Sequence, residues 1–92
     1  MSTIHITHQH KKNHAEAKAA VNRVAKSIAK KFAVTHGWDG DVLHFERSGV
    51  HGSITLEKGQ VTVFAKLGIL LFAIKKPVEE AIHEYLDREF GD

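Results

Sequence analysis

The chain has 92 residues, no cysteine, and a formal net charge of +2 with histidine neutral. That length makes one domain, residues 1–92, with a modest core. The composition excludes disulfides, zinc fingers and thiol catalysis. So small a net charge argues for no nucleic-acid partner.

Thr3 to Thr7 reads as a first strand, with Ile4 and Ile6 on one face. Asn13 is a good N-cap, and Glu16 three residues later completes a capping-box pattern. A helix is predicted from there to about Phe32, because Ala17, Ala20, Val21, Val24, Ile28 and Phe32 recur at helical spacing. Lys18, Asn22, Lys26 and Lys30 form a second stripe, which makes Lys18, Lys26 and Lys30 a candidate basic face.

Three turn signals follow, Asp39-Gly40, Ser48-Gly49 and Lys58-Gly59, each between runs rich in β-branched and aromatic residues. Two-residue loops with glycine announce tight hairpins, so a four-stranded meander is predicted. Counting outward from the loops gives three rows on one face: Val34, Phe45, Gly52, Ala65; His36, Leu43, Ile54, Val63; and Trp38, Asp41, Leu56, Val61. That face is apolar apart from His36 and Asp41, and His36 reads as a hydrogen-bonded core histidine. The other face is mostly polar and carries the row Glu46, His51, Lys66.

After the meander comes Leu67 to Ile74, the most apolar stretch of the chain, ending in Lys75-Lys76-Pro77. Proline suits the first position of a helix. Val78, Ala81, Ile82, Tyr85, Leu86 and Phe90 mark a final amphipathic helix that Gly91 closes. The expected fold is α+β with the order β-α-β-β-β-β-α: a five-stranded antiparallel sheet, both helices on its apolar face, and the first strand beside the last. It resembles the TBP-like or helix-grip arrangement. Fold alone does not give function.

An ordered series of short motifs spans nearly the whole chain: Ile4-x-Ile6, Trp38-x-Gly40-Asp41, Phe45-x-Arg47-x-Gly49-Val50-x-Gly52, Leu67-Gly68-x-Leu70-Leu71, and Lys75 with Val78-Glu79. In these the chain resembles the small bacterial polyhydroxyalkanoic acid system proteins. That family takes its name from genes lying near those for polyhydroxyalkanoate synthesis and granule proteins. The resemblance implies a role connected with storage-polyester granules, and it brings no assigned catalytic residues. The histidine-rich start is not part of the pattern.

The remaining chemistry is weighed against plainer roles. Eight histidines invite a metal, but no HExxH or other closed ligand spacing is present, so solvated surface histidines are the expectation and neither metal nor other cofactor is assigned. Glu46, His51 and Lys66 could orient a general base, yet no nucleophile with an oxyanion partner accompanies them. A cross-strand charge ladder is preferred, and the protein reads as a non-enzyme. Between Lys11 and Lys31 stand seven Lys or Arg and one acid; from Val78 to Asp92 stand six acids and one base. Two complementary helices explain this, with a basic helix facing an anionic surface as the sharper alternative.

The candidate site is the apolar stretch. Ile69, Leu70, Leu71, Phe72 and Ile74, with Lys75 and Lys76 at the polar boundary, form a surface for a granule, a lipid-like phase or a granule protein. A buried connection or homodimer contact is the plainer reading. The competing function is a small module enclosing an acyl or hydroxyacyl group between sheet and helix, signalled by a cavity near Phe45, Ile54, Val63 and the first helix. No run reaches the roughly eighteen apolar residues of a membrane span, and residues 1–14 hold nothing like a signal peptide. The expected location is cytoplasmic, with association to granules.

Overall fold

The computed structural model describes residues 2–68 and 73–91. Strand β1 (Ser2–Gln9) leads to helix α1 (His14–Phe32). Strands β2 (Thr35–Asp39), β3 (Val42–Arg47), β4 (Val50–Glu57) and β5 (Gln60–Leu67) follow, and helix α2 (Lys75–Phe90) ends the order. The sheet is antiparallel throughout, in the order β1-β5-β4-β3-β2. This is the predicted β-α-β-β-β-β-α fold. β1 and β2 are the two edges, so α1 must carry the chain across the sheet. Four strand spacings come to about 19 Å, and a helix of this length reaches about 28 Å.

The start of α1 is fixed as its sequence requires. The Asn13 side chain accepts from the Glu16 N–H at 2.8 Å, and Glu16 Oε1 accepts from the Asn13 N–H at 3.2 Å. Asn13→Ala removes one of these bonds and weakens the other, and is expected to lower stability by about 1 kcal/mol in urea denaturation.

The helices cover one face of the sheet. Ala20, Val21, Val24 and Ala25 of α1 and Leu86 of α2 are fully enclosed, against Ile4, Leu43, Ile54 and Val61 from the strands. The acidic and basic ends of the sequence meet here. Arg23 of α1 pairs with Glu89 of α2, and Arg88 donates to Ser27 Oγ at 2.8 Å. The Arg23 hydrogen bond, helped by Arg88, holds the Glu89 carboxyl below its ordinary pKa. Helix complementarity thus accounts for part of the charge asymmetry.

Three expectations need correction. The first hairpin pairs Asp39 with Val42, so its loop is Gly40-Asp41 rather than Asp39-Gly40. Gly40 takes φ 63° at the first loop position, a conformation glycine accepts without a Cβ penalty. The register moves by one residue on each strand, which preserves every side chain's face. The other two hairpins pair as predicted.

His36 is exposed rather than buried. It stands opposite Phe45, with ring centroids 6.2 Å apart, on the outermost strand. Period-two alternation gives a residue its face, but at an edge no second strand completes its cover. Trp38, two residues on, is the residue that anchors: its Nε1 donates to Asn22 Oδ1 of α1 at 2.8 Å.

Helix α2 starts at Lys75, two residues before Pro77. Proline lacks an N–H, and the first turn leaves its N–H groups unpaired in any case, so the third position serves as well as the first.

Candidate functional site

An apolar cleft of about 70 Å³ lies between the helices and the sheet, at the end where α1 finishes and α2 begins. Its cause can be read on the sheet. Gly52 of β4 and Ala65 of β5 are paired neighbours, so two adjacent floor positions carry almost no side-chain volume. Ile28 and Phe32 of α1, Phe45 of β3, and Val78 and Ile82 of α2 contribute to its lining. The expected cavity residues are met in part. Phe45, Val63 and α1 line it, whereas Ile54 lies wholly inside the packed core.

Among the described lining residues Arg47 alone is charged. Its Nη1 donates to the Phe32 carbonyl at 2.7 Å, which holds the guanidinium beside the last turn of α1. The sequence carried a signal for it. Leu43, Phe45 and Arg47 share one parity on β3, so an arginine stands at an inward position where the apolar face ends.

Ile74 also lines the cleft and is 39% exposed. Lys75 is half-buried and Lys76 exposed, both in the first turn of α2. The rest of the proposed contact segment, Ile69, Leu70, Leu71 and Phe72, lies outside the described residues. The basic face is dispersed. The Lys18 ammonium sits 4.7 Å from the Trp38 ring centre, while Lys26 and Lys30 are exposed with no ion pair among the described residues. Glu46, His51 and Lys66 form the predicted row, with Glu46 and His51 3.4 Å apart and each about 70% exposed. An exposed pair of this kind contributes about 0–1 kcal/mol.

A second hollow lies at the start of α1, lined by His10, Lys12, His14, Asp41, Glu57 and Lys58 among others. Charges of both signs ring it, and His14 Nε2 meets Asp41 Oδ1 at 2.8 Å on the surface. Among the described residues no three His, Asp or Glu side chains converge as metal ligands would.

His10 itself is buried. Its Nδ1 accepts from the Lys12 N–H at 3.0 Å, so the neutral ring carries its proton on Nε2, which has no partner among the described residues. Its ring packs 4.9 Å from that of Phe90, tying the connection after β1 to the end of α2. Burial, then the nearby His8 and Lys12, hold the His10 pKa below its ordinary 6.5. In the unfolded chain His10 binds a proton near pH 6.5; in the fold it resists until lower pH. Its contribution to stability is therefore complete above pH 6.5 and is lost as pH falls through the folded pKa. The urea midpoint is expected to drop between pH 7.5 and 5, and His10→Phe to flatten that drop.

These features define a small α+β fold with an apolar cleft at one end and one cation, Arg47, in its described lining. The chain belongs to the family described as "Putative polyhydroxyalkanoic acid system protein", which matches residues 4–90. No curated protein matches it, and neither does any solved structure. Among the described residues no helix is long and apolar enough to cross a membrane.

Proposed function

We propose that this protein is a non-enzymatic accessory factor of polyhydroxyalkanoate storage, attaching to a granule or lipid-like surface where α2 begins. The observation that carries this reading is the placement of Ile74, Lys75 and Lys76. Ile74 is one of two large exposed hydrophobic residues among those described. Both lysines occupy a first helical turn that holds no acid. Cations at the positive end of a helix are unfavourable by about 0.3–1 kcal/mol each. Their position supports a role outside the fold, at the boundary of an apolar contact. The preceding residues Ile69 to Phe72 add four apolar side chains to the same stretch. Each such side chain that is fully seated contributes about 1.5–3 kcal/mol, so two or three hold a small protein reversibly.

The test is co-fractionation with granules from a polymer-accumulating cell. Wild type is expected in the granule layer, and a Leu71→Asp, Phe72→Asp, Ile74→Asp variant, shown folded by circular dichroism, in the soluble fraction. If both remain soluble, surface attachment is wrong. If both float, the anchor lies elsewhere. Sedimentation of the free protein separates a homodimer through this patch from attachment as a monomer.

A second reading is supported by the cleft itself. The hollow over Gly52 and Ala65 suits an enclosed acyl or hydroxyacyl group, held between sheet and helices.

A further inference from the structure

We infer that the cleft takes the carboxylate-terminated end of a short alkanoate or hydroxyalkanoate, with its alkyl part over Gly52 and Ala65 and its anionic end on Arg47. This rests on the second reading above and names its ligand.

Size sets the alkyl part. The cleft holds about 70 Å³, about half the volume of a 150 Å³ cavity that accommodates benzene. That leaves room for about three or four carbon atoms. A long fatty chain does not fit in so small a volume, and Leu67, Val63 and Ile82 of the lining are almost wholly buried.

Charge sets the head. The described lining has one cation, Arg47, and no carboxylate. Arg47 makes no ion pair among the described residues, and its one hydrogen bond, to the Phe32 carbonyl, uses a single N–H. A guanidinium has five such donors in a planar fork that matches a carboxylate. The bond to Phe32 positions the fork at the cleft without occupying it. Arg47 is exposed, so water meets its remaining N–H groups in the free protein, and a carboxylate at the rim of the cleft would replace that water with a charge-assisted pair. A short alkanoate offers an apolar part for the floor and an anion for Arg47, the one charged residue of the described lining.

The experiment is a titration of the ¹⁵N-labelled protein, read by two-dimensional NMR, with butyrate, with butyramide, and with a linear trimer of 3-hydroxybutyrate bearing a free carboxyl. Butyrate and butyramide share shape and differ in charge. Butyrate is expected to move the amides of Gly52, Ala65 and Leu67 and to bind about tenfold more tightly than butyramide, the factor an arginine–carboxylate hydrogen bond provides. Arg47→Gln is expected to bring the two ligands to equal affinity. Ala65→Leu, checked for folding by the same spectra, is expected to abolish both by filling the floor. Binding of butyrate with much weaker binding of the trimer is what a hollow for three or four carbon atoms requires and supports the inference; binding of the trimer as tight as that of butyrate shows that the ligand is not enclosed and overturns it.

Equal affinity of butyrate and butyramide for wild type overturns it. So do shifts confined to Lys75 and Lys76 that vanish with added salt, or no shift at Gly52 and Ala65. Failure here with intact granule co-fractionation removes the enclosed ligand and leaves surface attachment standing. Butyrate binding without co-fractionation does the reverse.

Discussion

Gly52→Val is expected to destabilise the fold by about 3 kcal/mol, at the upper end of what overpacking a core costs. A Cβ built on Gly52 would lie 2.9 Å from the Phe64 carbonyl oxygen and 3.5 Å from the Ala65 Cβ. The first of these is backbone in the neighbouring strand, so no side-chain rotation relieves it. The ladder between β4 and β5 must open locally, at the pairing that forms the floor of the cleft. Gly37 on β2 is the internal control. A Cβ there meets nothing within 4 Å and its φ is not positive, so Gly37→Ala is expected within about 0.5 kcal/mol of wild type. Urea midpoints of the two variants, with the denaturation slope unchanged, check the contrast. A domain of this size loses about 4–8 °C of melting temperature per kcal/mol, so Gly52→Val is expected to melt roughly 15 °C or more below wild type. Equal midpoints for the two variants would mean that the strands yield at Gly52, and the floor of the cleft would then not be fixed by the sheet.

How much of this was legible in the sequence follows from what each signal encodes. Glycine in a two-residue loop encodes a positive φ, and all three hairpins form. It does not encode whether glycine comes first or second in the loop, which is why Gly40 moved the first register while Gly49 and Gly59 did not. Alternation encodes a face, so Leu43, Ile54 and Val63 are buried as expected. It does not encode cover, so His36 on the edge strand is exposed. Asn13 and Glu16 encode a reciprocal pair of bonds, and both are made.

The cleft lies between these cases. Gly52 opposite Phe45 sets a small residue beside a large one, a thin place that by sequence alone reads as packed by its neighbour. Whether a thin place becomes a hollow depends on how closely α1 and α2 cover it, and no local pattern carries that distance. Arg47 was legible by parity alone, as a charged residue on the inward face. Only the folded chain places it beside the end of α1, where the Phe32 carbonyl accepts its hydrogen bond.

Leu86→Ala is expected to cost about 3–4 kcal/mol, and Val78→Ala less than half as much, because the two ends of α2 are held differently. Leu86 is wholly buried, and removing its outer atoms leaves a void among close-packed neighbours. The same end of the helix carries the Arg23–Glu89 pair and the Arg88 bond to Ser27, and Phe90 packs on the His8 and His10 rings at 6.0 and 4.9 Å. Val78 is also buried, but it borders the cleft and so already lacks packing partners on that side. Deleting its methyls enlarges an existing space and forfeits fewer contacts. Hydrogen exchange is expected to follow the same gradient, with amides near Leu86 opening only on global unfolding and amides near Val78 opening locally. A helix fixed at its far end and looser over the cleft can admit a small ligand without unfolding. Bound butyrate should then slow exchange near Val78 and leave Leu86 unchanged. Equal costs for the two substitutions would mean that Val78 is packed as tightly as Leu86, and both the hollow and its ligand would be lost together.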